Sequence, residues 1–398
     1  MKQHQILIIT AITSYLIILF FVDSKAWAYD VSLFKKWALA IQKNGLSNIY
    51  APSNQVDYLP GFLYVLKAYV LMFGDSVENS IHYLKAFILL FEVLAVFIIC
   101  KYVKMVKWSI FLFVIGVFNL GYLYNTMAWF QIDGWLASVM LFSFLLAFQQ
   151  KTKWSVFLFV IAINIKFQAV ILLPLLGLIW LSQVKSLKEV FKCLGLFIFT
   201  EIVVLFPFLV NGSAKYIFQN VFNTYDLFPY VSLNARNIWM LIEQNPRFIS
   251  DESIFLLFSY KQWGLGMYVF SILCVILPFV YWQFIKKKTL SIHYLILGSI
   301  ILCYSFFFLN TQMHERYVHY VFPFVMVYCF LNKNIVVFLL FSLASYLNLE
   351  SMLHFQSIIP ETSFIFNAQF IAVLFALVYV FFVFRFYIFN KSLFNQTS

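Results

Sequence analysis

Thirteen polar and charged residues stand out from an otherwise apolar sequence, and they form six clusters. The clusters are Asp30, Asp57-Tyr58, Gln131 with Asp133, Lys166 with Gln168, Asn234-Ala235-Arg236-Asn237, and His314-Glu315-Arg316. Paired carboxylates are typical of sites that remove a proton from a hydroxyl group. All six clusters fall on the same predicted side of a membrane, whereas a transporter is expected to hold its essential polar groups at the midplane. The pattern therefore indicates an enzyme that works at a membrane surface.

The rest of the chain is apolar enough to lie in a bilayer. Of its 398 residues, 63% are hydrophobic, and the mean hydropathy is +0.89; soluble domains contain about 45–50% apolar residues. A helix crosses the hydrocarbon core with about 17–25 residues. Runs near this length predict about twelve spans, over 5–22, 83–100, 108–124, 134–148, 154–165, 169–182, 193–210, 264–284, 291–309, 318–331, 335–348 and 367–388. The pair 154–165 and 169–182 is also compatible with one long kinked helix.

Lysine and arginine are distributed unequally between the predicted loops. Loops on the side of the N-terminus hold fifteen basic residues and one acidic residue, Glu189. The basic residues are Lys2, Lys101, Lys104, Lys107, Lys151, Lys153, Lys185, Lys188, Lys192, Lys286, Lys287, Lys288, Lys333, Arg385 and Lys391. Because cytoplasmic loops are enriched in these residues, both termini are predicted in the cytoplasm and all six clusters outside the plasma membrane. The net charge of +11 thus reflects topology, and no nucleic-acid partner is expected.

The N-terminal segment has one feature of a cleaved signal. The residues Ala26-Trp27-Ala28 are compatible with a signal-peptidase site. The apolar run 6–22 exceeds the usual ~7–15 residues of a signal, however, and Lys25 lies inside the would-be site. We therefore expect this segment to remain as the first span.

The predicted outer loops are long, chiefly 23–82 and 211–263, and residues 1–398 form a single membrane domain. Apolar side chains recur at helical spacing in 31–43, at Leu33, Phe34, Trp37, Ala38 and Ile41. This spacing predicts an amphipathic helix in the outer interface. A second interfacial helix is predicted from Pro60 to about Phe73, because proline suits a first helical turn. The predicted fold class is an all-α integral membrane bundle of about twelve transmembrane helices, with two interfacial helices in its first outer loop.

Asp30 and Asp57 are the main candidates for acid–base chemistry. Asp30 directly precedes the predicted amphipathic helix, where it would cap the helix or act as a general base, and one residue can do both. Asp57 belongs to Asp57-Tyr58-Leu59-Pro60, which predicts a rigid elbow. Turn formation explains the proline but not a second carboxylate 27 residues after Asp30. The pair therefore favours catalysis.

Residues 29–60 carry a further pattern around these carboxylates, YDVSLFKKWALAIQKNGLSNIYAPSNQVDYLP. An early Asp, an amphipathic helix with Trp, a Tyr and then Asp-Tyr-Pro-Pro occur in the first outer loop of the GT-C glycosyltransferases, which this segment resembles. Leu59 stands where many members have the first Pro. The likeness is greatest to the dolichyl-phosphate-glucose glucosyltransferases and to bacterial mannosyltransferase-like relatives.

Four later runs are similar to family motifs in the same order, so that the resemblance extends over about residues 1–331. They are WFQIDGW (129–135), KFQAVILLP (166–174), NARNIWML (234–241) and MHERY (313–317). The first resembles a Gly-Gln-Ile-Asp run with Phe130 in place of Gly, and the second a Lys-Pro-Gln…Leu-Pro run with Phe167 in place of Pro. The last is parallel to the His-Glu-Lys of the eukaryotic enzymes.

The resemblance implies a membrane enzyme that transfers a hexose of the mannose or glucose class from a polyprenyl-phosphate donor. The acceptor would be a glycan or lipid-linked molecule of the cell envelope, and transfer would invert the anomeric centre. Asp30 is then the base for the acceptor hydroxyl, and Asp57 is the second catalytic carboxylate. Asp57, Tyr58, Gln131 and Asp133 would bind sugar hydroxyls, and Lys166, Arg236, His314 and Arg316 would bind phosphate. Gln168, Asn234, Asn237 and Glu315 complete the predicted substrate-binding set.

Several of these assignments have structural alternatives. Lys166 could extend to the membrane interface without binding a ligand. For Arg316 phosphate binding is favoured, because the planar guanidinium forms a bidentate fork. Lys85 and Glu92, both in the second predicted span, are better explained as a pair that joins helices.

The sequence predicts neither a cofactor nor a metal ion. The five cysteines (Cys100, Cys193, Cys274, Cys303 and Cys329) lie in or at the ends of predicted spans without a Cys-x-x-Cys pair, which indicates small core residues. No HExxH or DxD motif is present. A lipid phosphate is already a good leaving group, so transfer does not require a metal.

Two other functions remain compatible with the sequence. A polymerase or ligase of lipid-linked glycans is also polytopic, but it is expected to depend on arginine-rich outer loops more than on two early carboxylates. A transporter or flippase is expected to have charges at the midplane and broken helices. Apart from Arg385 near the end of the last predicted span, only Lys85, Glu92 and Glu201 carry charges within predicted spans, which favours the transferase.

Overall fold

The computed structural model describes residues 2–22, 26–103, 108–223 and 227–395, and about 79% of the chain is helical. The helices are α1 (Lys2–Phe20), α2 (Ala28–Asn44), α3 (Pro60–Phe73), α4 (Val77–Ser80), α5 (Leu84–Val103), α6 (Ser109–Val117), α7 (Leu120–Tyr124), α8 (Asp133–Phe148), α9 (Thr152–Ile165), α10 (Leu173–Gln183), α11 (Leu187–Val210), α12 (Ala214–Asn223), α13 (Trp239–Ile242), α14 (Tyr260–Val280), α15 (Ile292–Leu309), α16 (Phe322–Leu331), α17 (Ile335–Leu353) and α18 (Ala368–Asn395). A short antiparallel hairpin pairs β1 (Ile254–Phe255) with β2 (Phe258–Ser259). Lys25, Lys104 and Lys107, used above for the signal site and the orientation, lie outside the described residues.

The described helices are those of an all-α membrane protein. Six are long and apolar enough to cross a bilayer, or seven if the bent pair Ser109–Val117 and Leu120–Trp129 is one span. Four shorter apolar helices coincide with further predicted spans: His4–Phe20, Asp133–Phe148, Thr152–Ile165 and Phe167–Gln183. The tenth predicted span, 318–331, contains only the ten residues of α16 as α-helix. The count of twelve spans therefore stays a prediction.

Breaks between helices separate the short apolar segments. Lys166 is extended, with φ −151° and ψ 139°, and a 3-10 turn follows at Phe167–Leu172. Residues 154–182 are thus two helices and not one kinked helix. A second 3-10 segment, Glu315–Val321, precedes α16 and delays its start to Phe322. Both breaks carry polar residues that a continuous apolar helix would not place together.

The core is centred on α15. In Ile292–Leu309, 83% of the residues are buried, compared with 11% in an apolar 18-residue stretch of Leu187–Val210. Helix α11 therefore lies at the periphery of the described bundle. Its apolar side chains face outward, which suits a lipid environment, because lipid tails are as apolar as leucine.

The two helices predicted in the first outer loop are present. Helix α2 buries Phe34, Trp37, Ala38 and Ile41, and α3 runs from Pro60 to Phe73 as expected. The apolar stripe of α2 packs on α3, which explains the helical spacing seen in the sequence. The location of both helices at the outer interface remains a prediction.

The predicted orientation can be tested by cysteine labelling in a variant without the native cysteines. Ser53 and Ser253 belong to predicted outer loops, and Lys153 and Lys287 to predicted inner loops; all four are exposed. On intact cells, a membrane-impermeant maleimide should label Ser53→Cys and Ser253→Cys, and Lys153→Cys and Lys287→Cys only after lysis. Labelling of the second pair on intact cells would contradict the proposed sidedness.

Candidate active site

Helix α2 begins earlier than the sequence predicted, and this changes the role of Asp30. The N-cap residue is Trp27, whose backbone N–H donates to the Ala128 carbonyl at 3.2 Å. Asp30 lies within the first turn of α2, so its predicted capping role is wrong. A carboxylate in a first turn is still favoured by the helix dipole. The Asp30 side chain is half-buried and is influenced by Arg316, Lys166 and Asp133 across the site.

The Asp57-Tyr58 elbow packs against the aromatic face of α2. The Tyr58 ring lies 5.7 Å from the Phe34 ring and 5.2 Å from the Trp37 ring, measured between centroids. The Tyr50 hydroxyl donates to the Tyr58 carbonyl at 2.8 Å. These contacts hold the elbow beside the first turn of α2, and Asp57 is thereby brought close to Asp30.

Asp30 and Asp57 form a coupled pair at the rim of the site. Burial raises the pKa of both carboxyl groups, while Lys166 and Arg316 lower both pKa values. The charge of Asp30 raises the pKa of Asp57 further. The Asp57 side chain remains exposed, so its burial is partial and solvent reaches the pair. Two carboxylates that share one site can bind and deprotonate a hydroxyl group.

Asp133 forms the floor of the site and is completely buried. Its Oδ1 accepts from Lys166 Nζ at 2.7 Å and from the Tyr320 hydroxyl at 2.8 Å. Its Oδ2 lies 4.0 Å from Arg316 Nε. Asp133 is the first residue of α8 and follows a turn in which Phe130 has φ 66°. The predicted contact of Asp133 with sugar hydroxyls is not supported, because its oxygens face two cations and a tyrosine.

Gln131 connects the elbow to the floor. Its Oε1 accepts from the Tyr58 hydroxyl at 2.8 Å and from Lys166 Nζ at 3.5 Å. Its amide lies next to the Asp30 carboxyl group, although Nε2 makes no close hydrogen bond with any described residue. Lys166 Nζ also lies 5.2 Å from the centre of the Tyr58 ring. Lys166 is thus buried and held inside the site by Asp133, Gln131 and Tyr58.

Arg316 approaches the same floor from the 3-10 segment before α16. Its NH1 donates to Glu315 Oε1 at 3.3 Å, and its side chain is 18% exposed. The guanidinium also packs on the Tyr317 ring, at 5.7 Å from the ring centre. Arg316 Nε is buried and has no hydrogen-bond partner among the described residues. Glu315 is buried and acts as the counter-charge of Arg316, so a substrate contact by Glu315, as predicted, is not supported.

Arg236 lies on the other side of Glu315. Its backbone N–H donates to Asn348 Oδ1 at 3.1 Å, and Asn348 Nδ2 donates to the Glu315 carbonyl at 2.6 Å. Among the described residues, the guanidinium makes only a long contact of 3.4 Å to Ser351 Oγ and contacts with two methionine sulfur atoms. Because these are weak acceptors, the Arg236 cation retains capacity for an anionic ligand.

The predicted residues Asn234 and Asn237 lie in the segment before α13. Asn237 is buried and donates to the carbonyls of Phe307 and Asn310 at 3.4 and 3.2 Å, and its predicted substrate contact stays a prediction. Asn234 has φ 70° and accepts from Arg247 NH1 at 3.4 Å. Both residues shape the loop that runs beside 313–315.

His314 and Gln168 border the Tyr317 ring. The His314 ring lies 5.3 Å from the Tyr317 ring, and Gln168 contacts the Tyr317 hydroxyl. Burial, together with the Arg316 and Lys166 charges, holds the pKa of His314 well below its usual range. This shift favours the neutral ring of His314, which could offer a hydrogen bond to phosphate.

Sequence reasoning missed Tyr320 and Asn348. Tyr320 had a weak signal, because residues three apart in a 3-10 segment share one face and Tyr317 stacks on Tyr320 at 5.7 Å. Asn348 had no signal in the sequence, since it lies 112 residues from Arg236, whose backbone N–H donates a hydrogen bond to it. The packing of α17 against the 3-10 segment Glu315–Val321 brings it there.

The exposed Asp57 and half-buried Asp30 lie at the rim, whereas the buried Lys166 and the partly buried Arg316 lie at the floor. The described residues contain no group of three or more His, Cys, Asp or Glu side chains placed to hold a metal ion. Chemically, the site can deprotonate a hydroxyl at its rim and bind an anion at its floor. Comparison of the sequence with family models and with curated proteins finds no match.

Proposed function

We propose that this chain is a membrane glycosyltransferase that moves a hexose from a polyprenyl-phosphate donor to a hydroxyl acceptor. The apolar helices would hold the donor lipid chain in the bilayer, and the candidate site would receive its phosphate and sugar. The observation that carries this proposal is the convergence of Asp30 and Asp57 with Lys166 and Arg316, although these residues lie far apart in the sequence.

The charges of the site suit the two halves of this reaction. Lys166 and Arg316 share the buried Asp133, and Arg316 Nε keeps an unused N–H. A phosphate oxygen is a strong acceptor for such groups, because charge-assisted hydrogen bonds are about twice as strong as neutral ones. Asp133 and Glu315 would hold the cations in place, which replaces their predicted contacts with substrate.

In the proposed step, the acceptor oxygen attacks the anomeric carbon on the face opposite the phosphate. A new carbon–oxygen bond forms while the bond from the anomeric carbon to the phosphate oxygen breaks. The polyprenyl phosphate leaves with the electron pair, and Asp30 takes the proton of the hydroxyl. A single displacement of this kind inverts the anomeric configuration. Asp57, Tyr58 and Gln131 would bind hydroxyl groups of the sugars.

Donor binding can be tested without knowing the acceptor. The unfolding temperature of the purified protein should rise with polyprenyl phosphate and much less with the matching polyprenol, which lacks the phosphate. A ligand at 100 times its Kd stabilises a protein by about 2.7 kcal/mol. Equal shifts with both lipids would mean that only the chain is bound, and the assignment of a phosphate site would be wrong.

The pH dependence of transfer should report the rim carboxylates. A general base must be ionised, so the rate falls as the pH decreases through its pKa. Because burial raises the pKa of Asp30 and Asp57, the acid limb of kcat/KM should lie at higher pH than for an exposed aspartate. The acid limb reports an apparent pKa of the two interacting carboxyl groups together. A profile that falls only at the pH of a free aspartate would contradict the raised pKa of these two carboxyl groups.

A further inference from the structure

A second polar group lies directly behind the floor of the site. Glu92 of α5 is buried, and its Oε1 lies 3.3 Å from Nε2 of the buried His319. The His319 ring stacks on the Tyr122 ring at 5.2 Å with an interplanar angle of 4°. The sequence suggested that Glu92 acts with Lys85, but Glu92 meets His319, and Lys85 donates to the Met127 carbonyl at 2.8 Å.

The Glu92 carboxyl group also contacts the start of α8. A Cβ atom at Gly134 would collide with Glu92, whose Oε1, Cδ and Cγ are the three nearest atoms. Only glycine therefore allows the carboxyl group to approach this backbone so closely. Gly134 directly follows Asp133, the residue that accepts from Lys166 and Tyr320.

His319 lies beside a second backbone segment of the site. It directly precedes Tyr320 in the 3-10 segment Glu315–Val321, which also carries Arg316. The Glu92–His319 contact thus joins the two backbones that meet at Asp133. Neither side chain is part of the rim or the floor, so both can act only through their neighbours.

We propose that Glu92 and His319 are positioning residues, which set the distance between Asp133 and the segment that carries Arg316 and thereby shape the phosphate site. This inference rests on the proposed function. Substitutions distant from the reacting atoms that move a site by about 1 Å can cost about 10²-fold. The effect should therefore appear in donor binding more than in the rate of the bound complex.

Gly134→Ala is the first test. The added methyl group must displace the Glu92 carboxyl group or the start of α8, so we expect the KM for a polyprenyl-phosphate hexose to rise by about 10- to 100-fold, with a smaller change in kcat. Gly177→Ala in α10 is the matched control, because nothing lies within 4 Å of a Cβ atom there. The control should keep the KM of the unchanged protein.

A compensating substitution separates positioning from general damage. Glu92→Asp shortens the side chain that meets the new methyl group, so Gly134→Ala combined with Glu92→Asp should regain most of the lost donor affinity. Alone, Glu92→Gln keeps the shape of the side chain and its close approach to His319, so its KM should stay near the original. Glu92→Ala loses both contacts and should resemble Gly134→Ala.

The outcomes distinguish this inference from the proposed function. If the unchanged protein neither binds nor consumes the donor, both fail. If it does, and Gly134→Ala and Glu92→Ala keep its KM, only the positioning role fails. If Gly134→Ala does not fold, a comparison of the donor KM of Glu92→Ala with that of Glu92→Gln tests the positioning role in the same way. An equal loss of unfolding temperature in both, without a difference in KM, would make Glu92 purely structural.

Discussion

Asp30→Asn should lower the transfer rate by about 10²–10⁴-fold, the usual effect of losing a general base. This corresponds to about 3–5 kcal/mol of transition-state stabilisation. Asparagine keeps the size of the side chain and its hydrogen bonding but cannot take a proton. Asp30 is in the first turn of α2 and does not cap it, so the folding cost is limited to the helix-dipole interaction, about 0.3–1 kcal/mol. The KM for the donor should change little.

The matched control is Asp75→Asn, between α3 and α4. Asp75 is exposed, and among the described residues it accepts a long bond of 3.4 Å from Gln42 Nε2, so its substitution should leave the rate unchanged. Initial rates and unfolding temperatures of both purified variants would be compared. A folded and fully active Asp30→Asn would remove Asp30 as base, and Asp57 would be the next carboxylate to substitute.

Arg316→Lys should raise the KM for the donor by about 10- to 100-fold, because a hydrogen bond to a charged group contributes about 1.5–3 kcal/mol. Lysine keeps the positive charge but loses the planar fork and the unused Nε–H. It also loses the contact with Glu315 and the packing on Tyr317. Asp133 and Glu315 would then surround a cation of the wrong shape.

Arg247→Lys controls for a general effect of this exchange. Arg247 is exposed and its NH1 contacts only Asn234 Oδ1, at 3.4 Å, in the hydrogen bonds described. Donor titration of both variants against the unchanged protein gives the comparison. If Arg316→Lys binds the donor as tightly as Arg247→Lys does, Arg316 holds the fold together and does not bind phosphate.

Local signals in the sequence predicted helices α2 and α3 well. Pro60 marked the start of α3, and the spacing of Phe34, Trp37 and Ile41 predicted the buried face of α2, because both depend on neighbours within a few residues. The sequence predicted the start of α2 too late, because the actual start depends on a distant contact. The Ala128 carbonyl binds the Trp27 N–H, and no local pattern reports such a bond.

The types of the site residues were more predictable than their contacts. Polar residues in apolar surroundings identified Asp133, Lys166 and Arg316, since such residues are costly in a membrane. Which of them face substrate depends on pairing across the bundle, and Asp133 and Glu315 are satisfied by the neighbouring cations. The backbone partners of Asn237, which the sequence predicted as a substrate-binding residue, are 70 and 73 residues away, so no local pattern could reveal them. The number of spans is equally uncertain from sequence, because breaks such as Lys166 shorten the apolar helices.

The central claim is transfer from a polyprenyl-phosphate sugar, and its most direct test is donor turnover. Purified protein in lipid vesicles would be given synthetic polyprenyl-phosphate mannose or glucose and a panel of alkyl glycosides as acceptors. Mass spectrometry would measure free polyprenyl phosphate, and NMR the anomeric configuration of the new glycoside. We expect polyprenyl phosphate to form with an inverted product, and both to be lost in Asp30→Asn. Donor that stays intact with every acceptor, or product formed equally by Asp30→Asn, would contradict the account.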